Sequence, residues 1–354
     1  MIQANVANDF PTPSLVLDTG HPLRCAKHHY IYRAEIMSQG KPLSQATDKT
    51  LSGVRILSVA LNLPGPAALM RLADMGAKCT KLEPLPPKGS PRGSPADPMG
   101  LYAPHAYHHL HAKVKVVQAD LKSAKGQAQL AKLLASTDVL LTSFRPSALK
   151  KLGMAWPDLH AQFPGLNMVS IVGSPGAGAE IPGHDLTYLA ANGLVGGLTL
   201  PATLFADMAG SLQASEAVLK ALWLRAKPGR SQGKGVFHEV ALEDAAAYLA
   251  LPRQWGLTAP KGSVGGAHAG YQVYACANGR VAVAALEPHF AAKLLEVAGL
   301  TAKPGKGVAG VTPRDPMLLP ATRAKLAAYF AGLTRKQLDG LATRHDLPLV
   351  SLPA

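Results

Sequence analysis

The chain has 354 residues, 47% hydrophobic but only 5% aromatic, with 34 glycines, 29 prolines and a formal net charge of +14. That length carries two domains with their own cores or one large one, and the many turn formers follow no collagen-like or low-complexity period. The basic surplus favours anionic partners, among them nucleic acid and the polyphosphate of coenzyme A, but no run of five basic residues occurs and aromatics are too sparse for a base-stacking platform.

No uncharged apolar run is long enough to span a bilayer. The opening MIQANVANDFPTPS lacks the basic start and apolar core of a secretory signal. Cys25, Cys79 and Cys276 lie far apart and in no metal-ligand spacing, which suits a reducing cytoplasm.

Residues 1–50 carry mixed charge and no sustained periodicity, and read as an N-terminal extension, loosely ordered or packed as an arm. From Leu51 the pattern becomes regular. Val54–Ala60 reads as a strand, and Ala67–Met75 as a helix behind Pro64-Gly65-Pro66, closed by Gly76. Strands follow at Cys79–Leu82 and Val114–Val117. Ser123–Ser136 predicts a helix with Ser123 as N-cap and Leu130, Leu133 and Leu134 on one face. Val139–Thr142 and Leu166–Val172 are further strands. This alternation predicts an α/β fold, with a Rossmann-like large domain over 51–235 whose mainly parallel sheet is covered on both faces. Gly173-Ser-Pro-Gly176-Ala-Gly178 follows a strand but opens no helix, as a phosphate-cradling loop must, so neither nicotinamide nor flavin is expected.

Asp207–Ala226 reads as a long helix ended by Pro228-Gly229, and Val240–Leu251 as another. Gly262–Gly270 is a flexible loop. Tyr271–Cys276 and Arg280–Ala285 flank Asn278-Gly279, a hairpin signal. Helices follow at Pro288–Val297, Pro320–Leu333 and Arg335–Thr343, giving a smaller α+β domain over 236–354.

The residues that can do chemistry gather in Gly183-His184-Asp185-Leu186-Thr187-Tyr188 and, 23 positions beyond His184, at Asp207. A histidine and two carboxylates in an apolar region can move protons to and from a carbon acid or supply a nucleophile. Imidazole titrates near neutral pH, and burial would raise Asp207 towards the same range. Asp207 suits a helix N-cap equally well. Arg145 can grip phosphate oxygens bidentately or merely cap a strand end; Lys81 and Lys151 are weaker candidates for phosphate. His105, His108, His109 and His111 have no cysteine or acidic ligand nearby and follow Pro104, which suggests a loop, so no metal is expected.

Several of these motifs, in order, resemble the family III CoA-transferase superfamily, and most closely its α-methylacyl-CoA racemases. They are Gly65-Pro66 before a helix, Leu72-Ala73-Asp74-Met75-Gly76-Ala77 at its end, Lys81-Leu82-Glu83-Pro84, Ala119-Asp120-Leu121-Lys122, Ser143-Phe144-Arg145-Pro146, Gly183-His184-Asp185, Leu204-Phe205-Ala206-Asp207, Gly233-Lys234-Gly235 and Ala285-Leu286-Glu287-Pro288. The resemblance runs over most of Leu51 to Ala354. It implies racemisation of 2-methylacyl-CoA thioesters, with His184 and Asp207 as the proton-transferring pair, Asp185 in support, and coenzyme A as part of the substrate rather than a separate cofactor. Arg145, Lys81 and Lys151 would meet its phosphates. An intertwined cytoplasmic homodimer in lipid metabolism is implied, without nucleic acid or membrane. The alternative within the superfamily is CoA transfer between acids, with Asp185 as the attacking carboxylate. Departures from the pattern leave a degenerate CoA-binding protein as a third reading: Ala275 stands where racemases can carry a glutamate, Ser147 follows Arg-Pro in place of glycine, Thr187 stands where asparagine is common, and the stretch after Leu347 is short.

Overall fold

The structure is a computed structural model that describes residues 49–91, 93–229, 232–300 and 315–354. Nearly all of the expected N-terminal extension, with Cys25, lies outside the described residues.

Six parallel strands form the main sheet: β1 (Arg55–Ser58), β2 (Lys78–Glu83), β3 (Lys115–Gln118), β4 (Val139–Thr142), β5 (Asn167–Val172) and β6 (Phe237–Ala241). Their spatial order is β3-β2-β1-β4-β5-β6. Every residue of β4 and β5 is buried, as expected of central strands covered on both faces.

The helices between them are α1 (Pro64–Asp74), α2 (Pro98–Tyr102), α3 (Pro104–Leu110), α4 (Ala124–Leu134), α5 (Pro146–Lys151), α6 (Trp156–Gln162), α7 (Asp185–Ala191), α8 (Phe205–Ala226) and α9 (Leu242–Gln254). Proline opens α1, α2, α3, α5 and α6 within the first turn, where its missing N–H is harmless. Ser123 caps α4 as expected, accepting from Gly126 N–H at 3.1 Å. One core packs Leu69, Leu72, Ala214 and Val218 of α1 and α8 against Ile56, Val139 and Val169. A second packs Leu130, Leu134 and Leu159 of α4 and α6 against Leu57, Leu140 and Met168. The result is a three-layer, doubly wound α/β unit.

Past the linker, β7 (Tyr271–Cys276), β8 (Gly279–Ala284) and β9 (Leu349–Leu352) form an antiparallel sheet. The expected Asn278-Gly279 hairpin pairs β7 with β8, Tyr274 facing Val281. Helices α10 (Pro288–Val297), α11 (Pro320–Ala331) and α12 (Arg335–His345) complete this smaller module, whose own core includes Tyr274, Val283, Phe330 and Leu338. Among the described residues no hydrogen bond or ion pair joins 51–254 to 268–354.

Three expectations need correction. The parallel sheet takes in Phe237–Ala241 and α9 packs on α8, so the large α/β unit runs past 235 through Gln254. The histidine-rich stretch is helical as α3, with Pro104 as its first residue and not as a loop signal. The long helix begins at Phe205, which places Asp207 inside the first turn rather than at the N-cap, held by Leu204.

Candidate active site

In the strand order β3-β2-β1-β4-β5-β6 the winding reverses between β1 and β4. The crevice beyond the carboxyl ends of strands at such a point is where open α/β sheets hold ligands. A cavity of about 160 Å³ lies there. Leu61 and Asn62 follow β1, Ser143, Phe144 and Arg145 follow β4, and Gly173 follows β5; His184, Tyr188 and Asp207 complete the polar part of its lining.

The loop after β1 is pinned by side chains. Leu61 N–H donates to Ser143 Oγ at 3.0 Å and Asn62 N–H to Asp97 Oδ1 at 3.1 Å. Asn62 takes a left-handed φ of 64°, which asparagine tolerates better than most side chains.

His184 has extended backbone just before α7, with φ −141° and ψ 166°. Thr187 Oγ1 accepts from His184 N–H at 3.1 Å and donates to its carbonyl at 2.7 Å. These bonds fix the backbone at the start of α7.

Asp185 opens α7 and is buried. Its Oδ1 accepts from the backbone N–H of Asp207 at 3.0 Å. No side chain at the N-cap of α8 satisfies that helix's free N–H groups, so Asp185 serves one of them from the neighbouring helix. The bond also holds the two acidic residues together. Burial, and then the Asp185 charge, push the Asp207 carboxyl from 3.8 up to about 7. The Asp207 side chain has no hydrogen-bond partner among the described residues.

Arg145 is exposed at the cavity mouth, preceding α5, and Lys151 is exposed at the far end of that short helix. Ser147 N–H and Oγ donate to the two Glu180 carboxylate oxygens at 2.6 and 2.8 Å. Those bonds, with help from Arg145 and Lys151, hold the Glu180 carboxyl below its ordinary value.

Lys81 is placed otherwise than expected. Its side chain is fully buried, with Nζ 3.1 Å from Glu83 Oε1 and in close contact with Asp97 Oδ2. Nζ also lies 3.1 Å from His111 Nε2, while His111 Nδ1 reaches Tyr107 O at 2.6 Å. Burial, and then the Lys81 charge, lower the His111 pKa. Burial alone would raise the Glu83 carboxyl, but Ala96 N–H and Lys81 hold it below its ordinary value. Lys81 is thus the centre of an internal ion cluster bracing β2 and α2, out of reach of a phosphate. Ala275, where a glutamate would support the histidine, is an exposed position on β7. Sequence reasoning did not single out Asn62 for the site, and it placed Tyr188 in the His184 motif without giving it a role.

The geometry defines a doubly wound α/β protein with an acid–base cavity at its switch point. The chain belongs to the CoA-transferase family III, which matches residues 51–352. It is 36% identical over 137 residues to the succinyl-CoA–D-citramalate CoA-transferase of Chloroflexus aurantiacus, covering 37% of this chain and 32% of that enzyme. It is 30% identical over 267 residues to the alpha-methylacyl-CoA racemase of Mus musculus, covering 71% of this chain and 65% of that one. The chain therefore matches less than two thirds of the length of either relative. The crystal structure of a CAIB/BAIF family protein from Brucella suis shares the fold, with a TM-score of 0.64 at 22% identity over 86% of this chain and 84% of that one.

Proposed function

We propose that the protein is an acyl-CoA racemase or epimerase acting at the α-carbon of 2-methylacyl-CoA thioesters. The observation that carries this reading is the presence of His184 and Asp207 in the lining of one cavity, with the Asp207 carboxyl raised to about 7. A thioester acidifies its α-carbon because the enolate places charge on oxygen. Inversion requires one group to take the α-proton and another, across the carbon, to return a proton. A carboxyl near pH 7 is populated in both forms under working conditions, so it serves as base for one epimer and acid for the other. His184 takes the complementary part. The backbone N–H groups that open α7 would favour charge on the enolate oxygen.

Coenzyme A enters as part of the substrate, its phosphates meeting Arg145 and Lys151 at the mouth. No further cofactor is invoked. Exposed apolar side chains, including Trp223, Tyr248, Trp255 and Val273, support self-association as a homodimer. No helix among the described residues is long and apolar enough to cross a membrane. The free thiols Cys79 and Cys276 fit a reducing, cytoplasmic setting. Incubating a single-epimer 2-methylacyl-CoA with the protein in deuterium oxide tests the reading. Deuterium should appear at the α-carbon as the epimers equilibrate; bound CoA without any exchange would refute it.

The alternative, CoA transfer through Asp185, is disfavoured by the burial of that side chain and by its hydrogen bond to the start of α8. Hydroxylamine-sensitive acyl-enzyme, lost in Asp185→Asn, would reverse the preference.

A further inference from the structure

Among the described residues three tyrosines are buried. A buried phenol ordinarily finds a hydrogen-bond partner, because an unpaired hydroxyl away from water is costly. Tyr107 Oη donates to Glu83 Oε1 at 2.9 Å and Tyr274 Oη to Ala269 O at 2.7 Å. Tyr188 is the exception. It is only 6% exposed, yet its hydroxyl has no partner among the described residues and is not sealed in apolar surroundings. Its ring lines the same cavity as His184 and Asp207.

The surrounding backbone is shaped around this hydroxyl. A Cβ at Gly173 would lie 2.3 Å from Tyr188 Oη, and one at Gly183 would lie 2.5 Å away. Both glycines line the cavity. Any larger residue at either position would displace the phenol tip, so the end of β5 and the turn before α7 together leave it room. Tyr188 lies inside α7, four residues after His184, whose extended backbone precedes that helix.

We propose that Tyr188 is a further catalytic residue whose phenolic O–H donates a hydrogen bond to the thioester carbonyl oxygen as the enolate forms. This deepens the racemase reading and rests on it. The α C–H bond breaks and its proton passes to His184 or Asp207. The electron pair forms the carbon–carbon double bond, and the carbonyl π pair moves onto oxygen, where the Tyr188 hydrogen bond meets it. Tyr188 keeps its proton throughout, and return of a proton to the opposite face reverses the electron flow. Burial, and then the Asp207 charge, raise the phenol's pKa, so it remains a donor across the neutral range.

The test compares the full chain with Tyr188→Phe, which removes one oxygen and no packing carbon. Binding of free CoA and the melting temperature serve as fold controls and should be unchanged. Acetoacetyl-CoA, whose enolate absorbs in the near ultraviolet, reads enolate stabilisation directly. The parent should enrich the bound enolate, and Tyr188→Phe should lower both that enrichment and kcat for α-deuterium exchange about a hundredfold, with KM little changed. An equal enolate yield and equal exchange in Tyr188→Phe overturn the proposal alone. A displaced pH profile with undiminished maximal rate also overturns it, since the hydroxyl would then be tuning Asp207. A parent protein that binds CoA but gives neither enolate nor exchange overturns this proposal and the racemase reading together.

Discussion

Replacing Asp207 by asparagine should stabilise the protein while abolishing racemisation, and the stabilisation should depend on pH. The Asp207 carboxyl has an ordinary value of 3.8 and is raised to about 7 by burial and by the Asp185 charge. The folded protein therefore holds this proton more tightly than the unfolded chain does. Stability falls as pH rises from 3.8 towards 7, because ionisation is easier once the chain unfolds, and the full penalty is present above pH 7. At about 1.4 kcal/mol per tenfold change, the gap between 3.8 and about 7 sets a ceiling of about 4 kcal/mol. Solvent reaching this partly buried side chain lowers the realised figure to about 1–3 kcal/mol. Asparagine keeps the shape and loses the charge. Its melting temperature at about pH 8 should exceed that of the parent by roughly 2–6 °C, taking about 2 °C per kcal/mol for a chain of this size. The difference should shrink by more than half at about pH 5 and disappear near the ordinary carboxyl value. Fluorimetric melts of both proteins across this range provide the assay. A gain that does not vary with pH, or no gain at pH 8, would show that the carboxylate is not strained in the fold, and the acid–base role assigned to it would lose its physical basis.

Other substitutions separate the remaining roles. In a two-base cavity, His184→Gln should lose α-deuterium exchange from one epimer by at least about a hundredfold, while Asp207 still exchanges the other; equal losses from both epimers would contradict opposed faces. Arg145→Ala should raise KM for the acyl-CoA about tenfold to a hundredfold, the loss of a charge-assisted hydrogen bond, with a small effect on kcat; unchanged KM and unchanged salt dependence would remove Arg145 from phosphate binding. Lys81→Met should destabilise the fold by about 3–5 kcal/mol, because Glu83 and Asp97 are left buried without their cation. CoA affinity of the folded fraction, read by calorimetry, should not change; a stable variant with weakened CoA binding would return Lys81 to the ligand.

What the sequence made legible follows from which signals are local. The apolar runs at Val139–Thr142 and Leu166–Val172 mark strands buried on both faces, since nothing polar needs to alternate there. Ser123 marks its helix because an N-cap is settled within four consecutive residues, here 123–126. β6 was hidden because its burial begins only at Val240, so it reads as the first turn of α9, and only pairing with β5 reveals it as strand. β9 is four residues long and depends on β8 for its existence. Lys81 shows the same limit in the site. A lysine near Glu-Pro in a basic protein reads as a phosphate ligand until Asp97, sixteen residues away, is found against its ammonium group. Asp207 was legible as a candidate acid, but the hydrogen bond from its backbone to Asp185 is a meeting of two helix starts that no spacing rule predicts.

That meeting bears on the choice between the two chemistries of the family. A transferase needs a carboxylate that reaches the acyl carbon and can carry it as an anhydride; a racemase needs a carboxyl that changes protonation near neutral pH. Asp185 has a lone pair committed to the first turn of α8, is buried, and is absent from the cavity lining. Freeing it to attack would leave the Asp207 N–H unsatisfied at a helix start, a cost of about 1–3 kcal/mol before any bond is made. Asp207 faces the cavity with no partner for its side chain, and the fixed charge of Asp185 behind it is a reason its proton is held near neutrality. On the proposed racemase reading the two acids divide the work: one is spent on structure and field, and the other is left able to exchange a proton. Asp185→Asn measures this division, because it should lower the apparent pKa of the Asp207 limb in the rate profile while leaving a measurable exchange rate. A hydroxylamine-sensitive acyl-enzyme in the parent that is absent from Asp185→Asn would instead mark Asp185 as the nucleophile.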